Sequence, residues 1–312
     1  MTFPAAGILL DILKGSVATI ALFLAYASVP LVGVFGGMLA PLPGILYTLR
    51  RGRAVGVAIV LATGAVLVMV ADLSALSLYL VQCASVSLLL PLFLSERSTA
   101  RAIVYTAAGS VAAIGGLGIG YGLMHGVNID AEVLKWINTS ISHTATLYEK
   151  SGLKGDELQN LQQGLQQAGQ LLGRVYPAMV VFGQLVIVIV NVLAMGALAR
   201  RWQLPVPLND FRQFRNPDQL IWVVIAAGFT MLIDNDAVTR GALNVLLVGL
   251  FAYFIQGMAI MAHFFARFAV SRIAKFFFYL FLVLQPYLTI GVAVLGLFDL
   301  WGNFRTPKQK NL

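Results

Sequence analysis

The chain has 312 residues, of which 59% are hydrophobic and only 11% charged, against about 25% charged residues in ordinary soluble domains. With a mean hydropathy of +0.85, this apolar surface excludes an ordinary soluble fold and points to lipid, where backbone amides are paired inside helices or closed barrels; long, unalternated apolar runs select helices. The net charge of +8 lies in short basic clusters between apolar runs, the positive-inside pattern rather than a nucleic-acid-binding domain, and the single cysteine, Cys83, excludes an intramolecular disulfide or a cysteine metal cluster.

At the start, Lys14, the stretch Val17 to Leu24 and Ala25-Tyr26-Ala27 imitate a signal peptide. The apolar sequence continues unbroken beyond that site, so a retained first helix is expected. From Gly15 to Leu49 there is no charge, and one helix of that length would measure about 52 Å against a hydrocarbon core of about 30 Å. Pro30 divides the run into a helix from Ile8 to Val29 and a second from Leu31 to Leu49, the latter interrupted by Pro41 and Pro43. Arg50, Arg51 and Arg53 then mark a cytoplasmic turn.

Ala54 to Ala71 reads as a third span, Asp72 as an outer turn and Leu73 to Leu94 as a fourth span, after which Arg97 and Arg101 return the chain inside. The fifth runs from Ala102 to Met124, and Gly116 with Gly120 predicts close helix packing. Residues 126–174 form a near-neutral polar insertion on the outer side. Two amphipathic helices are predicted there, Ala131 to Tyr148 capped by Asp130 and Glu157 to Gly173 capped by Asp156.

A sixth span follows Pro177 to Ala199, leading to Arg200, Arg201, Arg212 and Arg215. The seventh, from Leu220 to Ile233, is short; Asp234, Asn235, Asp236 and Arg240 form its outer end, and Leu243 to Phe265 returns inward to Arg267, Arg272 and Lys275. A last run, Phe276 to Leu300, ends in a basic tail. The fold expected is an all-α polytopic bundle of eight or nine spans, one transmembrane domain over 1–312 with the outer helical insertion 126–174 inside it. The inner turns hold twelve Lys or Arg and the outer connections five, so alternation is well supported. Nine crossings would nevertheless put Arg305, Lys308 and Lys310 outside, against the same rule. One segment is therefore miscounted as a crossing, and the candidates for a re-entrant segment are either the split first run or the short seventh.

Polar side chains within spans face the bundle interior. Gln184 and Asn191 are seven residues apart, as are Gln256 and His263, which leaves each pair within about 20° of one helix face. With Asn244, and with Gln285 beside Pro286, they either line a solute cavity or form interhelical hydrogen bonds worth about 0.6–2 kcal/mol. Asp234, Asn235 and Asp236 have too few further ligands for a calcium loop. Asp299 ends a long apolar helix within reach of Arg305, where a charge pair anchoring the terminus is the simple account. His125, His143 and His263 are scattered and no hydrolase motif is present, so no catalytic residues, metal or cofactor are expected.

Four segments in order resemble the YybS-like family of bacterial membrane proteins: APLPGILYTLRRG (40–52), with Pro41 and Pro43; FRQFRNPDQLIW (211–222), with Pro217; AYFIQG (252–257), with Tyr253, Gln256 and Gly257; and GLFDLWGNFR (296–305), with Phe298, Asp299 and Arg305. That family has no established activity to carry over. It is distantly similar in hydropathy to the substrate-binding subunits of energy-coupling-factor transporters, a likeness that implies capture of a small solute and docking of a coupling subunit through small residues such as Ala21 and Ala25. The function expected is binding or transport of a small solute in the bacterial inner membrane, with Gln184, Asn191, Asn244, Gln256, His263 and Gln285 facing the solute. The alternative is a non-transporting scaffold that recruits protein partners through the outer hairpin or the inner basic turns. The lipid bilayer is a partner on either reading, and nucleic acid on neither.

Overall fold

The structure, a computed structural model, describes residues 5–28, 32–70, 73–152, 154–202 and 210–305. Pro30, Asp72, Lys308 and Lys310 lie outside the described residues. No strand occurs among those described, and the helices fall into two compact units, Met1–Ala131 with Val180–Leu208 and Glu132–Met179 with Asn209–Leu312.

The first unit begins with α1 (Ala5–Ser28), followed by two short helices, α2 (Val32–Met38) and α3 (Leu42–Arg51). Pro41 and Pro43 divide the second expected span here, because a proline lacks the N–H that would continue the helical ladder. α4 (Arg53–Val70) starts after a tight turn at Gly52, whose φ of 100° belongs to the left-handed region that favours glycine. α5 (Leu73–Tyr79) and α6 (Ser85–Glu96) are joined by a π-helical turn, Leu80–Ala84, and α7 (Thr99–His125) follows. A Cβ at Gly33 would meet the Ala25 carbonyl, so the α1–α2 hairpin is closed by backbone contact on the Ala25 side. Gly115, Gly116 and Gly120 of α7 have no such neighbour; the close glycine packing expected there lies elsewhere in the molecule. Asp11 pairs with Arg51 at 2.7 Å, which brings the start of α1 to the basic turn.

The polar insertion, residues 126–174, forms α8 (Ile129–Lys150) and the first part of α9 (Asp156–Trp202). Two expectations are corrected. Asp130 and Asp156 lie inside the first turns of these helices, and Asn128 accepts the Ala131 N–H at the start of α8. The helix expected to end at Gly173 runs on through Pro177 into the sixth span as one helix of 47 residues. α8 packs on it where Gly169 faces Ile141 and Gly173 faces Leu134.

The second unit also contains a 3-10 turn (Phe211–Gln213), α10 (Leu220–Thr230), α11 (Asp236–Arg267), α12 (Arg272–Leu284) and α13 (Pro286–Gly302). α11 is the axis of this unit. At its centre Val292 of α13 lies against Gly257 and, one turn on, Gly296 lies against Tyr253, so the two helices run antiparallel. A Cβ on Gly257 would strike the Val292 carbonyl, and one on Gly296 the Tyr253 carbonyl; the backbones touch because neither glycine has a side chain.

Among the described residues six helices are long and apolar enough to cross a membrane, or seven if the pair α12 and α13, bent by 106°, is counted as one span. The eight or nine full-length spans expected are therefore not found. The second and seventh segments are short helices, and the last run, expected as one helix, breaks at Gln285. Pro286, the first of the seventeen residues of α13, accounts for that break, since it cannot extend α12 but suits the first turn of α13.

Replacing Gly296 by valine should force α13 off α11 and cost about 1–3 kcal/mol. Gly291→Val is the control, because a Cβ at Gly291 meets nothing within 4 Å. Thermal unfolding in detergent should show a lowered midpoint for Gly296→Val alone; equal midpoints would refute the contact.

Candidate functional site

In the first unit Gln184 and Asn191 share a face of α9, and each meets a defect in a neighbouring helix. Gln184 Nε2 donates to the Val81 carbonyl at 3.1 Å, inside the π-helical turn, where the extra residue leaves a carbonyl over from the regular ladder. Asn191 Nδ2 donates at 2.8 Å to the carbonyl of Met38, the last residue of α2, a helix end whose carbonyls lack intrahelical partners. Both residues are buried, and their oxygens, Gln184 Oε1 and Asn191 Oδ1, have no hydrogen-bond partner among the described residues.

Asn244 of α11 does comparable work in the second unit. It takes a hydrogen bond from the Ala178 N–H and gives one to the Arg174 carbonyl, each at 2.8 Å. Those two groups would pair with each other in a regular helix, but Pro177 lies between them and its ring crowds the preceding turn. The amide thus bridges the helical rung around Pro177 in α9. Around it, Arg174 pairs with Asp236 at 3.0 Å and Arg240 lies over the Tyr176 ring, 5.3 Å from its centre. Asn235 caps α11 through its side-chain oxygen. In this acidic turn Asn235 is thereby engaged in capping and Asp236 in pairing, and no group of three or more His, Cys, Asp or Glu is placed to hold a metal ion among the described residues.

The densest polar arrangement lies where the non-helical segment before α10 and the end of α13 meet α11. Gln256 is fully buried; its Oε1 accepts the Asn216 N–H at 2.9 Å and its Nε2 donates to Asp299 Oδ2 at 3.0 Å. Asn216 Nδ2 donates to the Ala252 carbonyl. Asp299, only 2% exposed, also receives the Arg305 guanidinium at 2.6 Å on Oδ2 and the Phe304 N–H at 3.1 Å on Oδ1. Arg305 Nη1 in turn donates to the carbonyls of Phe214 and Arg212. Asn303, in the left-handed conformation with φ 40°, turns the chain back so that Arg305 reaches its partners, and it accepts from Arg215. Both acceptor oxygens of the buried carboxylate are therefore filled, the condition for holding a charge out of water.

Three of the sequence segments that carry the family resemblance converge here: Phe211–Trp222 supplies Asn216 and Pro217, Ala252–Gly257 supplies Tyr253, Gln256 and Gly257, and Gly296–Arg305 supplies Asp299 and Arg305. Phe298 points away, 54% exposed. His263 lies two turns along α11 from Gln256, near Asp210. The Arg212 N–H, followed by its guanidinium and His263, holds the Asp210 carboxyl below the usual carboxylate range. Gln285 is exposed at the α12–α13 bend. Within this unit, then, Gln256 and Arg305 both reach Asp299, whereas Asn244 is engaged at Pro177 and Gln285 is exposed at the bend. Asn216 was not singled out by periodicity, since it precedes its helix; the Asn-Pro pair at the start of an apolar run was its available signal.

Stacked apolar helices with a carboxylate and amides buried among them define an α-helical multi-pass membrane protein whose apolar faces contact lipid. The chain belongs to the family described as "Predicted membrane protein (DUF2232)", whose model matches residues 17–300. It is similar to the "Uncharacterized protein YybS" of Bacillus subtilis (strain 168), with 23% identity over 297 residues, 92% of this chain and 93% of that relative. No solved structure matches, and the likeness to energy-coupling-factor subunits is not shown by these matches.

Asn244→Ala should leave the Arg174 carbonyl and the Ala178 N–H unpaired and destabilise the protein by about 1 kcal/mol or more. In a Pro177→Ala background the helix can close its own rung, so the same substitution should cost much less. A double-mutant cycle on thermal midpoints measures this coupling; additive effects would contradict the bridge.

Proposed function

We propose that this protein binds a small polar solute within the cytoplasmic membrane of a bacterium and carries it across, without chemistry of its own. The observation that carries this reading is a buried carboxylate, Asp299, held beside Gln256 and Asn216 where the short helix α10 and the end of α13 meet the long α11. Ionisable groups inside a membrane bundle mark solute or ion pathways by default. Interrupted helices supply the backbone groups and helix ends that such sites use, and this chain has interruptions at Met38–Leu42, Leu80–Ala84 and Gln285. The unpartnered oxygens of Gln184 and Asn191 support the same reading, because each offers an acceptor to a polar solute.

The test is a thermal-shift screen of metabolites on the protein in lipid nanodiscs, followed by uptake into proteoliposomes. A solute should raise the midpoint of the native protein, and Gln256→Leu or Asp299→Asn, each first verified as monodisperse, should abolish that rise together with uptake. A solute effect that survives both substitutions, or a screen without any stabilising solute, would overturn the proposal.

A further inference from the structure

The polar cluster of the second unit is layered. Gln256 is fully buried on α11, Asp299 lies beside it on α13 with its side chain 2% exposed, and Arg305, with a side chain 16% exposed, forms the outermost layer. The two inner groups are fixed on helices whose backbones touch at Gly257 and Gly296. Arg305 stands instead on non-helical chain, past the end of α13 at Gly302 and the reversal at Asn303. Its side chain can swing away without breaking a helical rung. Gln256 Nε2 and the Phe304 N–H stay on the carboxylate when it does.

Every group that the guanidinium touches is an acceptor. Nη2 donates to Asp299 Oδ2 at 2.6 Å, and Nη1 donates to the carbonyls of Phe214 at 2.7 Å and Arg212 at 3.2 Å. A carboxylate oxygen and a carbonyl oxygen that take the two prongs of one planar fork suit a guanidinium better than the point charge of an ammonium. The neighbouring arginines have acids of their own, Arg212 with Asp210 and Arg215 with Asp218, so Arg305 supplies the counter-charge of Asp299. Its departure leaves these oxygens facing outward and a buried carboxylate without compensation. An anion would meet only acceptors there, and a neutral solute would leave the charge unpaired, which is the costly condition. A planar cation restores each lost contact.

We propose that the solute taken by this site carries a planar cationic head, a guanidinium or amidinium group, and that Arg305 is its tethered stand-in, displaced when the solute binds; this rests on the solute-binding reading of the same site. A tether that occupies a site lowers its apparent affinity by the fraction of molecules in which the site is open. Removing the tether therefore strengthens binding.

Methylguanidinium is the probe, with methylammonium and neutral methylurea as controls, and the readout is the thermal midpoint of the full chain in lipid nanodiscs. The probe should stabilise the native protein, and Arg305→Ala should respond at a concentration about tenfold lower, as expected of a site open in about a tenth of native molecules. If that variant does not stay monodisperse, Arg305→Gln takes its place. Methylurea should have no effect, methylammonium a weaker one, and Asp299→Asn should abolish the response. A response of the Arg305 variant alone, with the native protein unmoved at concentrations that saturate the variant many times over, would mark Arg305 as a structural anchor and overturn the proposal. Equal half-effective concentrations in the two proteins would overturn it as well. A neutral or anionic solute that stabilises the native protein but not Asp299→Asn would leave solute binding standing and refute the cationic class alone. If no solute acts, methylguanidinium included, both readings fall.

Discussion

In hydrocarbon a backbone carbonyl or N–H has no water to fall back on, so every irregularity in a spanning helix must be answered by another part of the protein. This constraint organises the molecule. The end of α2 at Met38 is answered by Asn191, the π-helical turn at Val81 by Gln184, and the proline between Arg174 and Ala178 by Asn244. In the second unit the N–H of Asn216, just ahead of α10, is taken by Gln256, while Asn216 itself reaches the Ala252 carbonyl. An amide suits each of these positions because it carries donor and acceptor on one short planar group and no charge to desolvate.

The second unit adds a condition that amides alone would not meet. α13 is held to α11 by contact between backbones, which two glycines allow and which brings Asp299 within reach of Gln256. A carboxylate so buried is tolerable only with its lone pairs filled and a counter-charge beside it. Arg305 provides the counter-charge, and its position depends on the reversal at Asn303, a residue type that adopts the left-handed conformation at low cost. Glycine contact, chain reversal and ion pair thus depend on one another, which explains why segments far apart in sequence carry their recognisable residues at one place.

Much of this was legible beforehand, for identifiable reasons. The spans and the basic turns follow from composition and charge, which act locally along the chain. Spacing put Gln184 with Asn191 and Gln256 with His263 on common faces, and Asp299 was read as a partner of Arg305. What spacing could not reveal is what each amide faces, because the partner is a backbone carbonyl made available by conformation rather than by residue type. The same blindness hid the continuity of α9 through Pro177. A proline normally ends a helix, and Asn244, sixty-six residues on from Ala178, shows how the proline is accommodated. The last run was misread for the opposite reason, since hydropathy measures length and apolarity but not a 106° bend at Gln285.

The repairs also bear on why the irregularities exist. A regular α2–α3, α5–α6 or α9 would need no Asn191, Gln184 or Asn244, and a leucine at each place would avoid burying an amide whose oxygen, in Gln184 and Asn191, finds no partner among the described residues. Interhelical hydrogen bonds in membranes are worth only about 0.6–2 kcal/mol, and leaving a polar atom unpaired costs about 1–3 kcal/mol. The amides therefore do not make these spans more stable than uninterrupted apolar helices would be. Stability alone favours removing prolines such as Pro41 and Pro177 together with the side chains that mend the breaks. Keeping both is consistent with interruptions that serve something other than stability, and polar groups held at membrane depth are what such interruptions supply.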